Sequence, residues 1–336
     1  EIMARISTVS RFSARYRIPH AVCAQVKEGN ANPQLPSKLP IVVECADALD
    51  CYEKWPTPIT IISDGPYGVS GYPGDPPTAD RLAQCYEPHV AAWSRFSSPQ
   101  TTLWFWNTEV GWANVHQLLV RHGWQFRNCH VWNKGKGHVA GNANTKSLRK
   151  FPVVTEVCVQ YVREARFRSP AFGELSMKEW LRHEWQRTGL PFKLTNVAAG
   201  VKDAATRKYF TMDHLWYFPP PDIFEKMVKF ANLRGGPAGR PYFSTDGIRP
   251  LTAAEWARMR AKFHCEFGIN NVWHEPAVRG IERLKDSSKV IHGNQKPLRL
   301  IELCLRASSD PGDVVWDPFG GLCTTAIDAK KMGRAC

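Results

Sequence analysis

A chain of 336 residues, 43% of them hydrophobic, has room for one large domain or two moderate ones with a sizeable core. No apolar run approaches the ~20 residues of a membrane-crossing helix, so no membrane role is expected. The net charge of +13 is uneven: 24 Lys+Arg face 14 Asp+Glu between Tyr161 and Leu300, which points to a polyanionic partner such as nucleic acid.

The first 35 residues, opening "EIMARISTVSRFSARYRIPH", form a basic N-terminal arm without the continuous apolar stretch of a secretory signal. From 36 to 165, strands and helices alternate. "IVVEC" (Ile41–Cys45) reads as a strand, and "ITIIS" (Ile59–Ser63) as a better one, β-branched and bounded by turns. The turn "DGPYG" follows, then a third strand, "TTLWFWN". "WANVHQLLVRHG" is a helix stopped by Gly123. "FRNCHVWNKG" and "VVTEVCVQYVR" are two more strands. This alternation predicts an α/β fold with a mostly parallel sheet and helices on both faces.

From 166 to 284 the texture changes to Arg, Trp, Phe and Pro, with one clear helix in "MKEWLRHEWQRTG" and breakers in "FPPPD" and "LRGGPAGRPYF". This predicts an inserted, mostly irregular or helical region. The α/β texture returns from 285 to 336. "KPLRLIELCLRASS" is an amphipathic helix, and "DVVWDPFGG" is a strand running into a glycine turn. "TTAIDAKKMG" opens another helix, with Thr324 or Thr325 as its cap. The ten cysteines form no CxxC and no paired metal spacing. Mostly buried thiols in a reducing cytoplasm are expected, without disulfides or a metal.

Two motifs carry chemistry. Asp64 ends an apolar strand, and its plain reading is a turn acid beside Gly-Pro. Asp317 ends another strand, and its glycine turn and following helix form an element that suits a nucleotide. In that order, "DGPYG" and "DPFGG…TT" resemble the catalytic and cofactor motifs of the S-adenosylmethionine-dependent DNA amino-methyltransferases of the β class. The segment "IVVECADALDCYEKWP" and the stretch "HGNQKPLRLIELCLRASSDPGDVVWDPF" resemble further parts of that family.

The resemblance implies a Rossmann-like methyltransferase sheet, S-adenosylmethionine as cofactor and double-stranded DNA as partner. It implies that residues 166–284 recognise the target. The catalytic residues would be Asp64, Gly65, Pro66 and Tyr67. The cofactor would be held by Asp47, Ala48, Gln295, Lys296, Pro297, Asp317, Pro318, Phe319, Gly321, Thr324 and Thr325. The expected setting is a restriction-modification system with a cognate endonuclease, with a homodimer as one arrangement. Asp64 in the first catalytic position implies adenine N6 as target. Ser63 beside it, and Gly65 in place of a proline, keep cytosine N4 as the alternative. A non-catalytic DNA-binding protein and RNA methylation are the other readings.

Two departures bear on the cofactor. Cys323 stands where the family's loop has a second glycine. The chain ends at "KKMGRAC", ahead of a strand whose acid binds the cofactor ribose in the family, and weak cofactor affinity is the expectation. Candidate DNA contacts are Arg182, Arg187, Lys193, Lys202, Arg207, Lys208, Arg234, Arg240 and Arg249. Most of the thirteen tryptophans read as core, and Trp180, Trp185, Trp216, Trp256 and Trp273 are the candidates for stacking on bases. Glu156 reads equally as a pocket residue or a structural acid, and His130 and His138 as core or surface histidines.

Overall fold

The computed structural model describes residues 40–69, 74–135, 149–169, 172–279, 283, 285–286, 289–290 and 294–336. The basic arm, His138 and His292 lie outside the described residues.

One six-stranded sheet organises the chain. Its strands are β1 (Thr60–Ser63), β2 (Thr102–Asn107), β3 (Trp124–Asn133), β4 (Thr155–Arg163), β7 (Val272–His274) and β10 (Val315–Trp316), in the order β10-β1-β2-β4-β3-β7. Two small hairpins, β5 (Phe167–Ser169) with β6 (Gly173–Leu175) and β8 (Lys285–Asp286) with β9 (Lys289–Val290), lie outside it. β1 runs parallel to both β10 and β2, and β3 runs parallel to β7.

β4 is antiparallel to both of its neighbours. The strand–helix alternation breaks between β3 and β4, where the described residues hold no helix to carry the chain back. The reversal has a consequence for chemistry. It brings Glu156, near the start of β4, to the edge where β1, β2, β3 and β10 end.

Alternating side chains load both faces of the sheet. Leu103 and Phe105 of β2 join Val157, Val159 and Tyr161 of β4 in one core cluster. That cluster packs on α1 (Leu82–Phe96), through Leu82, Tyr86, Val90 and Trp93, and on α2 (Glu109–Arg121). Thr108 caps α2 by accepting the Gly111 N–H at 3.0 Å, and Gly123 follows its end at φ +83°. On the opposite face, Trp104, Trp106, Trp132 and Trp273 pack against Leu300, Ile301, Cys304 and Leu305 of α8 (Leu298–Ser308).

A third cluster is helical. It is built from α3 (Met177–Arg187), α4 (Thr195–Ala199), α5 (Ala205–Tyr209), α6 (Pro221–Arg234) and α7 (Ala253–Ala257). Trp180 and Trp256 stack at 6.2 Å, and Phe224 lies on Trp256 at 4.2 Å. Glu184 is fully buried and accepts from Arg187, Arg240 and the Phe243 N–H, so its charge is compensated.

"IVVEC" is not a strand. Val42 and Val43 are 57% and 64% exposed. Among the described residues its backbone bonds are the Val42 N–H to Cys336 carbonyl (2.7 Å) and the Cys336 N–H to Pro40 carbonyl (3.2 Å), too few for a ladder. Ala335 in turn bridges Val314 beside β10.

Asp328 sits on α9 (Thr324–Lys331), buried, and its Oδ2 has no hydrogen-bond partner. Lys331 lies 3.5 Å from Oδ1. Burial pushes the Asp328 carboxyl up to about 7. A folded-state value above the unfolded one favours the folded protein at low pH, and this contribution is lost as pH rises through about 7. Asp328→Asn is therefore expected to stabilise the protein by roughly 2 kcal/mol at pH 8 and to be near neutral at pH 4. Urea unfolding at the two pH values checks the difference.

Candidate active site

Four chain segments meet at the strand ends. Asp64 follows β1 directly, and Asp317 follows β10. The register pairs Thr60 with Val315 and Ile61 with Trp316, so the two turns leave the sheet side by side. Their contact is close: a Cβ on Gly65 would lie 2.6 Å from the Phe319 ring and 2.7 Å from the Tyr86 hydroxyl. Glycine is the residue that admits this approach, which explains why no proline stands at position 65.

The turn is held from several sides. The Pro66 carbonyl accepts from the Tyr86 hydroxyl (3.1 Å) and from Asn107 Nδ2 (2.9 Å). Both of its lone pairs are thereby used. Gly111 on α2 leaves room for Asn107, since a Cβ there would fall 1.7 Å from Asn107 Oδ1. The Tyr67 N–H donates to Asp75 Oδ1 at 2.8 Å.

Charges cluster around Asp64. Its Oδ1 accepts from Lys296 Nζ at 2.7 Å and from the Tyr67 hydroxyl at 2.9 Å. The same hydroxyl lies 3.2 Å from Glu156 Oε2, and Lys296 lies 3.5 Å from that oxygen. Lys134 donates to the other oxygen, Oε1. Two lysines thus balance two carboxylates. Lys296 is 3% exposed. Burial works against its charge, but Asp64 and Glu156 outweigh burial and its pKa is raised. Burial likewise works against the Glu156 charge, and Lys296 and Lys134 outweigh it, leaving the carboxyl below its ordinary value. Tyr67 is pushed well up by burial, then by Asp64 and Glu156, and stays a neutral donor.

The loop after β10 has its own geometry. Asp317 Oδ1 accepts the Phe319 N–H at 3.2 Å. Burial raises its carboxyl to about 6, against a hydrogen bond from Thr325. Pro318 is half-buried. Gly321 turns at φ +50°, and Cys323, the N-cap of α9, takes φ +58° with no side-chain cap bond. Neither threonine caps this helix: Thr324 is its first residue, and Thr325 turns back to Asp317.

The left-handed backbone at Cys323 is costly for a residue with a Cβ. Cys323→Gly is expected to stabilise the fold by roughly 0.5–1 kcal/mol, seen as a higher denaturation midpoint at constant slope. An unchanged midpoint would show that no such strain is stored there.

Asp47 caps a short 3-10 turn, Ala48–Asp50, by accepting the Leu49 N–H at 2.9 Å, and is exposed. Ala48 packs against the same core cluster as Phe319. His89 links this side to the loop: its ring lies 5.0 Å from Phe319, and its Nδ1 is 2.8 Å from the Tyr52 hydroxyl. Gln295 is half-buried, and Pro297 is the N-cap of α8. Lys296 is committed to Asp64 and Glu156, a placement different from the cofactor contact expected of it.

Donor-set chemistry tests the fit of the implied cofactor. Asp47 and Asp317 offer carboxylate acceptors for ammonium and hydroxyl groups. The open N–H groups at the start of α9 offer donors for a carboxylate. The Gly65–Phe319 contact joins this side to the turn after β1. The residues fit a zwitterionic, hydroxyl-bearing molecule such as S-adenosylmethionine.

Asn107, Tyr86 and Lys134 were not singled out from the sequence. The usable signal was position: Asn107 and Lys134 are polar residues where apolar strands end, at the ligand edge of an α/β sheet. Nothing in the sequence marks Tyr86, which occupies an ordinary core position of α1.

The basic candidates divide. Lys193, Lys202, Arg207, Lys208 and Arg234 are exposed. Arg187 and Arg240 serve buried Glu184, Arg249 pairs with Glu255, and Arg182 donates to the Phe210 carbonyl and lies over Phe192 at 4.5 Å. The tryptophans correct the expectation of stacking. Trp180, Trp185, Trp256 and Trp273 are buried, because large apolar rings dominate core energetics. Trp216 is half-buried and donates to the Tyr209 carbonyl.

A family model described as DNA methylase, of the N6/N4 type, matches residues 60–336. The chain is 48% identical over 64 residues to the type II methyltransferase M1.MboII of Moraxella bovis, covering 19% of this chain and 25% of that protein. It is 45% identical over 65 residues to the type II methyltransferase M.HinfI of Haemophilus influenzae, covering 19% and 18%. The chain thus spans a quarter or less of the curated relatives it matches. Among solved structures, the M1.HpyAVI–SAM complex is similar over 89% of each chain, at 14% identity and a TM-score of 0.42. With the family model covering well over half of its length, the chain belongs to the N6/N4 DNA methylase family.

Proposed function

We propose that this protein methylates the exocyclic amine of a base in double-stranded DNA at a specific site, with adenine N6 as the target. The observation that carries this reading is the contact of Gly65 with Phe319, which joins two turns whose lead acids stand 253 residues apart. S-adenosylmethionine supplies an electrophilic methyl group on its sulfonium.

The protein's part is to make the amine a nucleophile and to place it. The amine lone pair is delocalised into the ring, and two acceptors on its N–H groups localise it. Asp64 is one, through its carboxylate. The Gly65 carbonyl is the other, because the Pro66 carbonyl is already filled by Tyr86 and Asn107. The Tyr67 ring holds the base by stacking once the base leaves the duplex. Lys296 fixes the Asp64 carboxylate before the base arrives, so positioning and electrostatics carry the catalysis. Asp47, Gln295, Pro297, Pro318, Gly321 and Thr324 belong to the cofactor side, and Lys193, Lys202, Arg207, Lys208 and Arg234 meet phosphates.

The choice of adenine draws support from Ser63. It is wholly buried within β1, opposite Phe105, so Asp64 holds the first position of the turn. Partnership with a restriction endonuclease and a dimeric state belong to the same proposal.

The test is product identity. The protein is incubated with methyl-labelled S-adenosylmethionine and plasmid DNA, which is then digested to nucleosides. Labelled N6-methyladenine is expected. Labelled N4-methylcytosine would reassign the base, and unlabelled DNA would overturn the catalytic reading.

A further inference from the structure

A second concavity lies toward the other end of β4. Glu156, Cys158, Gln160 and Val162 alternate onto one face of the sheet, and at ~3.3 Å per residue Gln160 stands ~13 Å from Glu156. The cleft there has a volume of about 710 Å³, well within the size of a small-molecule site.

Its floor holds an unmet polar group. Gln160 is 5% exposed, yet its amide makes no hydrogen bond among the described residues. That amide lines the cleft and offers a donor and an acceptor side by side. Such an amide suits an adenine edge. The walls carry exposed aromatic rings, Tyr217 at 61% and Phe263 at 56%. Rings open to solvent beside a polar floor suit the faces of a base.

The rim carries unbalanced positive charge. Arg127 and Lys262 are paired with acids. Arg260 lies 4.3 Å over the Phe218 ring and has no ion pair among the described residues. Lys178 donates to the Met212 carbonyl at 2.8 Å and also feels the Asp213 carboxylate. Asp213, also on the rim, is capped by the Leu215 N–H. Arg260, with Lys178 beside it on the rim, suits a phosphate.

We propose that this cleft binds a nucleotide away from the catalytic end, with Gln160 on the base edge, Tyr217 and Phe263 on its faces, and Arg260 and Lys178 on its phosphate. The chemistry is common to a free nucleotide and to one nucleotide of a strand. The test uses the full chain with no methyl donor, so its outcome is independent of the methyl-transfer reading. Fluorescence anisotropy follows a labelled 12-nucleotide single strand and, separately, a fluorescent ATP analogue. Arg260→Ala, Tyr217→Ala and Gln160→Leu are each expected to raise Kd about tenfold for the probe that binds, with melting temperatures unchanged. Loss confined to the strand assigns a strand nucleotide, and loss of the analogue assigns a free one. Arg260 and Tyr217 are exposed, so their variants keep the core. If neither probe binds the parent protein, or both of these variants keep its affinity, the proposal is overturned.

Discussion

Asp64→Ala is expected to slow methyl transfer by about 10²–10³-fold, the loss that follows removal of one pre-set hydrogen-bond partner of a reacting group. DNA affinity should stay within about threefold, because phosphate contacts made elsewhere dominate it. The expectation rests on a chain of contacts. Asp64 ends β1 at the sheet edge, and its Oδ1 is held by Lys296 and Tyr67 at 2.7 and 2.9 Å. Those two bonds fix the carboxylate plane while leaving Oδ2 outside them. Removing the carboxylate loses the acceptor and frees Tyr67 to donate to Glu156 alone. Asp64→Asn separates the two effects. It keeps an oxygen for Tyr67 and Lys296 but removes the charge that draws on the amine, and it leaves Lys296 and Lys134 facing Glu156 alone, so the rate falls and some stability is lost with it. Single-turnover rates with saturating DNA and cofactor make the comparison. Full activity in Asp64→Ala would remove Asp64 from the chemistry altogether.

Much of this arrangement was legible in the sequence, and the illegible remainder has physical reasons. β1 and β2 are short apolar runs bounded by turns, and local pattern suffices for such strands. Local pattern misled at "IVVEC", which is rich in β-branched apolar residues as β1 is but finds too little neighbouring backbone to pair with. The direction of β4 could not be read from composition, because direction depends on what connects two strands. Yet that direction brings Glu156 to Asp64. Asp64 was legible as the end of a strand and Glu156 only as a residue within one, and Lys296 joins them through a fold that closes 232 residues of chain. The tryptophans of the helical region show the opposite error. A basic, aromatic stretch suggested stacking on bases, but its largest rings were needed to build a core where no sheet provides one.

Lys296→Met should have the largest effect on stability, roughly 3–5 kcal/mol, because breaking a buried ion pair leaves uncompensated charge. The raised pKa of Lys296 marks a contribution present below its unfolded value near 10.4 and lost only above its folded one. The lowered pKa of Glu156 marks a contribution present above about 4.3 and lost as pH falls. Across neutral pH both hold. Without Lys296, Asp64 and Glu156 share the Tyr67 hydroxyl with Lys134 as the remaining cation, and like charge favours protonating one of them. The acid limb of the rate profile should therefore move to higher pH. A merely structural lysine would lower stability without moving that limb. Lys296→Arg keeps the charge and should keep the limb in place. The sharper comparison is the double variant. Glu156→Gln removes the surplus negative charge that Lys296→Met exposes, so the pair is expected to be more stable than Lys296→Met alone, with a coupling of about 1–3 kcal/mol. Additive losses in that cycle would mean that Lys296 and Glu156 do not act on each other, and that Asp64 alone holds the lysine in place.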